Sequence, residues 1–155
     1  MSYESVRPVW RAVRDRFQKS MSALKSEELS LKLSDDTSSI GFMVRHNAEV
    51  EYMFAEWFFQ RQAPEGLVYQ TNGPSTDDSA FSDLTSLIAF SEASDQYLSQ
   101  AMEDLPSEAW DQPVTSPPMG VSTPREALGR VLYHAGLHAG QIALIRKVAG
   151  QASRV

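Results

Sequence analysis

The chain has 155 residues, enough for one domain spanning 1–155 with a real hydrophobic core, and it carries a net charge of −6. Nucleic-acid binding needs a basic patch, and the basic residues here are dispersed among acidic ones, so nucleic acid is not an expected partner. The absence of cysteine excludes disulfides, thiolate metal ligands and a cysteine nucleophile, leaving His, Asp and Glu to hold any metal.

The N-terminal run MSYESVRPVWRAVRDRF is charged throughout and has no apolar core of a signal peptide. The strongest apolar run, MFAEWFF, is broken by Glu56 and too short to cross a bilayer. A cytoplasmic location without membrane partners is the default expectation.

In the first segment Val6, Trp10, Val13, Phe17, Met21 and Leu24 recur at spacings of four and three, which predicts a helix with one apolar stripe. Pro8 fits if Ser5 is the N-cap, because first-turn residues need no amide donor. The helix is expected to end between Lys25 and Leu29. The run SDDTSS offers N-caps for a second helix over 38–62, whose broad apolar face includes Ile40, Met43, Val44, Val50, Phe54 and Phe58. Pro64 and Gly66 then stop it, and 64–79 reads as a long loop.

A third helix is predicted over 80–103. Leu84, Leu87, Ile88, Leu98 and Met102 are apolar, but Ser91, Ser94 and Asp95 interrupt the stripe. Either this is an imperfect core edge, or small polar residues leave room beside a site. A second Pro-rich loop, 105–122, leads to the clearest helix start in the chain. There Thr123, Pro124 and Glu126 form a T-x-x-E capping box with Pro at the first helical position. This fourth helix should run to about Ala149, with Gly150 as the stop. No run alternates convincingly as a strand. The fold class is therefore all-α, a four-helix bundle of up-and-down type in which the long loops allow a crossover.

The three histidines are the chemistry-bearing feature. His134 and His138 lie one turn apart on one face of the fourth helix, and His46 lies in the second. If the three converge, with ring nitrogens about 3–4 Å apart, they offer three nitrogen donors to a divalent metal and leave a position open. The competing reading is three unrelated histidines whose nitrogens are satisfied by neighbours. Glu49 and Gln141, each three residues from a histidine, are candidates to hydrogen-bond an imidazole or a bound water; Glu49 reads equally well as solvent-facing charge. Tyr133 and Arg130 are weaker candidates, and Asn47 sits too far round its helix from His46.

Other chemistries fail on residue type. A zincin needs Glu after the first His, and position 135 is Ala. A di-iron carboxylate bundle needs Glu-x-x-His repeats that are not present. No G-x-S-x-G elbow or phosphate loop occurs. On the fourth helix Gly129, Gly136, Gly140 and Ala143 run nearly opposite the histidines, and such small residues allow another backbone to approach closely. A homodimer through this helix is expected, against ordinary packing within the subunit.

The stretch HAGLHAGQI, preceded by TPREALGRVLY, together with TSSIGFMVRHNAEVE, resembles the DinB/YfiT-like family across nearly the whole chain in element order. The resemblance implies a four-helix bundle whose metal ligands fall on His46, His134 and His138, and it raises the expectation of a dimer. Zn2+ or Ni2+ suits such a donor set best. Relatives in that family include bacillithiol- and mycothiol-dependent S-transferases. The implied function is transfer of a low-molecular-weight thiol to an electrophile, in detoxification or stress. Metal-dependent hydrolysis and a non-enzymatic, stress-associated metal-binding dimer stand as alternatives.

Overall fold

The structure, a computed structural model, describes residues 2–73 and 77–152. Four α-helices dominate: α1 (Tyr3–Ser22), α2 (Ile40–Phe58), α3 (Leu84–Asp104) and α4 (Pro124–Ala152). Short 3-10 turns at Ser26–Glu28, Asp78–Phe81 and Ser107–Asp111 punctuate the connections. The all-α expectation holds.

Helix α1 starts earlier than the position of Pro8 suggested. Ser2, not Ser5, is the N-cap, so Pro8 lies inside the helix. Tyr3 is drawn into the core cluster around Trp10, and that burial favours helix at a position where local capping chemistry alone would not. The Glu4 carbonyl, which Pro8 cannot satisfy, lies on an exposed turn where water can replace the missing donor. The helix also ends sooner, at Ser22, because Lys25–Glu28 closes its own turn with the Glu28 carboxylate accepting from the Lys25 amide at 2.9 Å.

Ser39 caps α2 by accepting from the Phe42 amide at 3.1 Å. The helix stops at Phe58, ahead of Pro64, because Gln60 adopts a left-handed conformation with φ of 57°. Asp83 caps α3, accepting from the Ser86 amide at 3.2 Å. Before it, 78–81 forms a separate 3-10 turn where a continuous helix was expected. The capping box of α4 is present in both directions: Glu126 N donates to Thr123 Oγ1 at 3.2 Å, and Thr123 N donates to Glu126 Oε2 at 2.8 Å. Gly150 does not stop α4, which continues to Ala152. The Pro-rich loop before it contains an unforeseen hairpin, Val114–Ser116 paired antiparallel with Gly120–Ser122. Gly120, at φ of 74°, supplies the left-handed residue that lets the second strand resume.

Helices α1 and α2 each pack against both α3 and α4, so consecutive helices α1 and α2 face one another across the bundle diagonal. Two core clusters fix the directions. One gathers the start of α1, the ends of α2 and α3 and the start of α4 around Trp10, Phe58, Met102 and Ala127. The other gathers the end of α1, the starts of α2 and α3 and the later part of α4 around Met21, Ile40, Leu87 and Ile142. The order is therefore up, down, down, up. The crossover is the segment 59–83, which must retrace the bundle to let α3 start beside the start of α2.

Residues along this crossover lie against α2. Arg45 Nη2 donates to the Val68 carbonyl at 2.7 Å, and Glu49 receives the amides of Gln70 and Thr71. At its far end the Phe81 backbone passes so close to Gly41 that an added Cβ would lie 2.3 Å from the Phe81 oxygen. Only glycine fits there.

The bundle interior is not wholly apolar. Arg14 is fully buried, and its Nε donates to both carboxylate oxygens of Glu51 at 3.0 and 3.1 Å. Its other nitrogens donate to Gln18 and to the carbonyl and hydroxyl of Ser91. Asn47 donates to Glu51 as well, at 2.9 Å. Ser91 and Ser94 are thus buried partners in a polar brace between α1, α2 and α3, which is why they interrupt the apolar stripe of α3.

Candidate metal centre

His46 stands in the second turn of α2, and His134 and His138 project from the middle of α4 across the groove between the two helices. The antiparallel run of α2 and α4 brings the three together. One ligand nitrogen from each lies within 4.8 Å of the other two. The rings approach edge to face, with centroid separations of 4.5 Å for His134–His138, 5.0 Å for His46–His134 and 5.4 Å for His46–His138.

The nitrogens are oriented as well as gathered. His138 Nε2 and His134 Nε2 are 3.1 Å apart. Two ligands on one tetrahedral ion at about 2.0–2.1 Å would stand about 3.3 Å apart. On the far side of its ring, His138 Nδ1 donates to Gln141 Oε1 at 2.8 Å. His46 Nδ1 is hydrogen-bonded to Thr71 Oγ1 at 3.0 Å. The Gln141 oxygen can only accept, so that bond assigns the His138 proton to Nδ1 and leaves its Nε2 lone pair for a cation. Phe42, stacked at 6.0 Å, limits the swing of the His46 ring.

Electrostatics point the same way. Burial holds the His134 imidazole down to about 3, with the neighbouring His138 and then His46 adding to the effect. Burial also lowers His46, again helped by His138. It lowers His138 too, although the bond to Gln141 works in the opposite direction. All three are neutral near pH 7, so no proton has to be displaced before a metal binds. Three neutral, half-buried nitrogen donors fit a divalent metal ion.

The other residues singled out in the sequence take varied positions. Gln141 meets His138, as its spacing suggested. Glu49 is neither at an imidazole nor in solvent: it is fully buried, and its oxygens accept from Arg45 Nε at 2.9 Å, Gln70 N at 2.6 Å and Thr71 N at 3.1 Å. It reaches His46 only through Thr71, a residue that sequence reasoning missed. Tyr133 is exposed, Arg130 donates to the Met119 carbonyl, and Asn47 faces Glu51. Among the described residues no carboxylate joins the three histidines.

Comparison with known proteins bears on the fold and the family. No curated protein matches the sequence significantly. Among solved structures, the crystal structure of a DinB-like protein from Bacillus cereus ATCC 10987 at 2.01 Å resolution superposes with a TM-score of 0.72. The match covers 95% of this chain and 92% of that one at 14% sequence identity, which is a likeness of fold. The model of the DinB superfamily matches residues 10–142, from Trp10 at the heart of α1 to Ile142, just beyond the last of the three histidines. The chain belongs to the DinB superfamily.

Proposed function

We propose that this protein is a metal-dependent S-transferase, joining a low-molecular-weight thiol to an electrophile. The observation that carries the reading is the three-histidine group without a carboxylate beside it. A divalent metal held by His46, His134 and His138 would supply Lewis acidity, lowering the pKa of a thiol or water at the open position. A thiol begins near 8.5 and water near 15.7, so a thiol needs far less help. Hydrolysis gains from a general base, and the nearest candidate, Glu49, already has its oxygens occupied by Arg45 and two loop amides. The chain has no cysteine, so the sulfur must come with the cosubstrate.

The transfer balances simply. The thiol sulfur forms a bond to the electrophilic carbon, the leaving group departs with the bonding pair, and the thiol proton goes to solvent. In this scheme Thr71 and Gln141 hold the imidazoles in the tautomer that presents Nε2. We assign the reaction to the cytoplasm, where such thiols are kept reduced, and to detoxification or stress. No helix among the described residues is long and apolar enough to cross a membrane.

A second copy of the chain is part of the same proposal. The outer face of α4 exposes Tyr133, Leu137 and Val148. A Cβ added at Gly129, Gly136 or Gly140 would meet nothing within 4 Å, so the packing of this subunit does not require those glycines. A face both apolar and small supports helix-on-helix dimerisation. Gly136→Leu should release monomers, and light scattering that finds a wild-type monomer at micromolar concentration would refute the dimer.

The activity is tested by loading the protein with zinc or nickel and supplying an aryl chloride with a panel of low-molecular-weight thiols. Thiol-dependent turnover supports the transferase. Cleavage of an ester without thiol would make it a hydrolase, and stoichiometric metal with neither activity would make the site structural.

A further inference from the structure

A cavity of about 210 Å³ opens directly against the metal centre, with His138 and Gln141 forming one wall. Its floor is apolar, made by Met43 of α2 and Ile145 of α4, both almost fully buried. Leu33 and Leu144 stand on either side of the opening and are 56% and 51% exposed. Thr37 and Ser38 complete the rim, and no lining residue carries a formal charge. An apolar cavity of about 150 Å³ takes up benzene, so this one has room for a six-membered ring with a small substituent. At the polar wall Gln141 uses Oε1 for His138, and its amide nitrogen is a donor which that bond leaves for another acceptor.

We propose that this cavity is the binding site for the apolar part of the electrophilic substrate: a neutral aromatic or compact aliphatic group bearing a hydrogen-bond acceptor beside it. The role as a substrate site rests on the transferase reading; the binding itself does not. Closing Leu33 and Leu144 over a ring removes their apolar surface from water, whereas in the metal-free protein a carboxylate or ammonium would lose hydration with no ionic partner among the lining residues in return. The ring would then lie against His138, which places a substituent on it beside the metal.

The test uses the protein both free of metal and loaded with zinc, with benzyl alcohol, benzoate and benzylamine as probes. Methyl NMR reports at Leu33, Met43, Leu144 and Ile145. Benzyl alcohol should shift these methyls in both forms, and in the metal-free form benzoate and benzylamine should bind at least about tenfold more weakly. Leu144→Asp and Leu33→Asp, at half-exposed positions, should each weaken benzyl alcohol by about tenfold or more, while Val9→Asp on α1 should leave it unchanged. Equal binding of all three probes to the metal-free form, or no shift at these methyls up to the solubility limit, would overturn the proposal. Because the metal-free protein is included, loss of the metal centre and loss of this cavity give different results.

Discussion

Thr71 Oγ1 lies 3.0 Å from His46 Nδ1, and this one bond ties the crossover segment to the metal centre. The threonine itself is held from behind, its amide donating to the buried Glu49 carboxylate. The crossover is therefore more than a connection between α2 and α3, because it helps to orient the His46 ring.

Replacing Thr71 with Val keeps the shape and removes the hydroxyl that is hydrogen-bonded to His46 Nδ1. Metal affinity should fall about 10–100-fold while the fold persists, as for other residues that orient metal ligands. A chelator-competition titration measures this. Wild-type affinity in Thr71→Val would mean that the hydroxyl has no orienting role.

Glu49→Ala should act at a greater distance. It leaves Arg45 and the amides of Gln70 and Thr71 without their acceptor, costing about 1–3 kcal/mol for each group that stays buried. Hydrogen exchange at the Gln70 and Thr71 amides should accelerate, and metal affinity should drop with it. If exchange accelerates and affinity does not change, the crossover does not position His46.

The Arg14–Glu51 pair gives a pH-dependent prediction. Burial pushes the Glu51 carboxyl up to about 7, against the downward pull of Arg14. A group whose folded pKa exceeds its unfolded value of 4.5 stabilises fully below 4.5 and loses that contribution as pH rises through about 7. Arg14→Met removes the cation, moves Glu51 further up and should cost about 3–5 kcal/mol near neutral pH. The cost should grow as pH rises above about 7, where the wild-type carboxyl ionises beside Arg14 while that of the variant stays protonated. Urea unfolding at a series of pH values measures it, and a cost independent of pH would show that Glu51 does not titrate in this range.

How far the sequence revealed this arrangement depends on how local each cause is. The capping box at Thr123 and the His134–His138 spacing are set within one or two turns of helix, so they read directly. The start of α1 did not, because it is decided by burial of Tyr3 against distant residues rather than by Ser5 or Pro8. Ser91 and Ser94 looked like breaks in a stripe, since Arg14, the partner of Ser91, lies 77 residues away and Ser94 donates to the Ser91 carbonyl. Glu49 was placed near the site by spacing, but its partners come from a loop more than twenty residues away. Thr71 carries no local signal at all: only the return of the chain along α2 makes it a neighbour of His46.

Metal removal should leave the helices intact. The apolar clusters at both ends of the bundle do not depend on the histidines, in contrast to small zinc domains that unfold without metal. The apo protein should retain its circular dichroism at room temperature and lose only the linkage contribution RT ln(1 + [metal]/Kd). Outright melting on chelation would make the metal structural and remove the main physical support for the transferase.

The most direct test of the central claim is metal stoichiometry in the wild type and in His46→Ala, His134→Ala and His138→Ala, measured by elemental analysis and calorimetric titration with zinc and nickel. One ion per chain should bind the wild type, and each single substitution should weaken it by orders of magnitude, His46→Ala included although it lies on a different helix from the other two. A wild type that binds neither ion, or a His46→Ala variant that binds as the wild type does, would contradict the account.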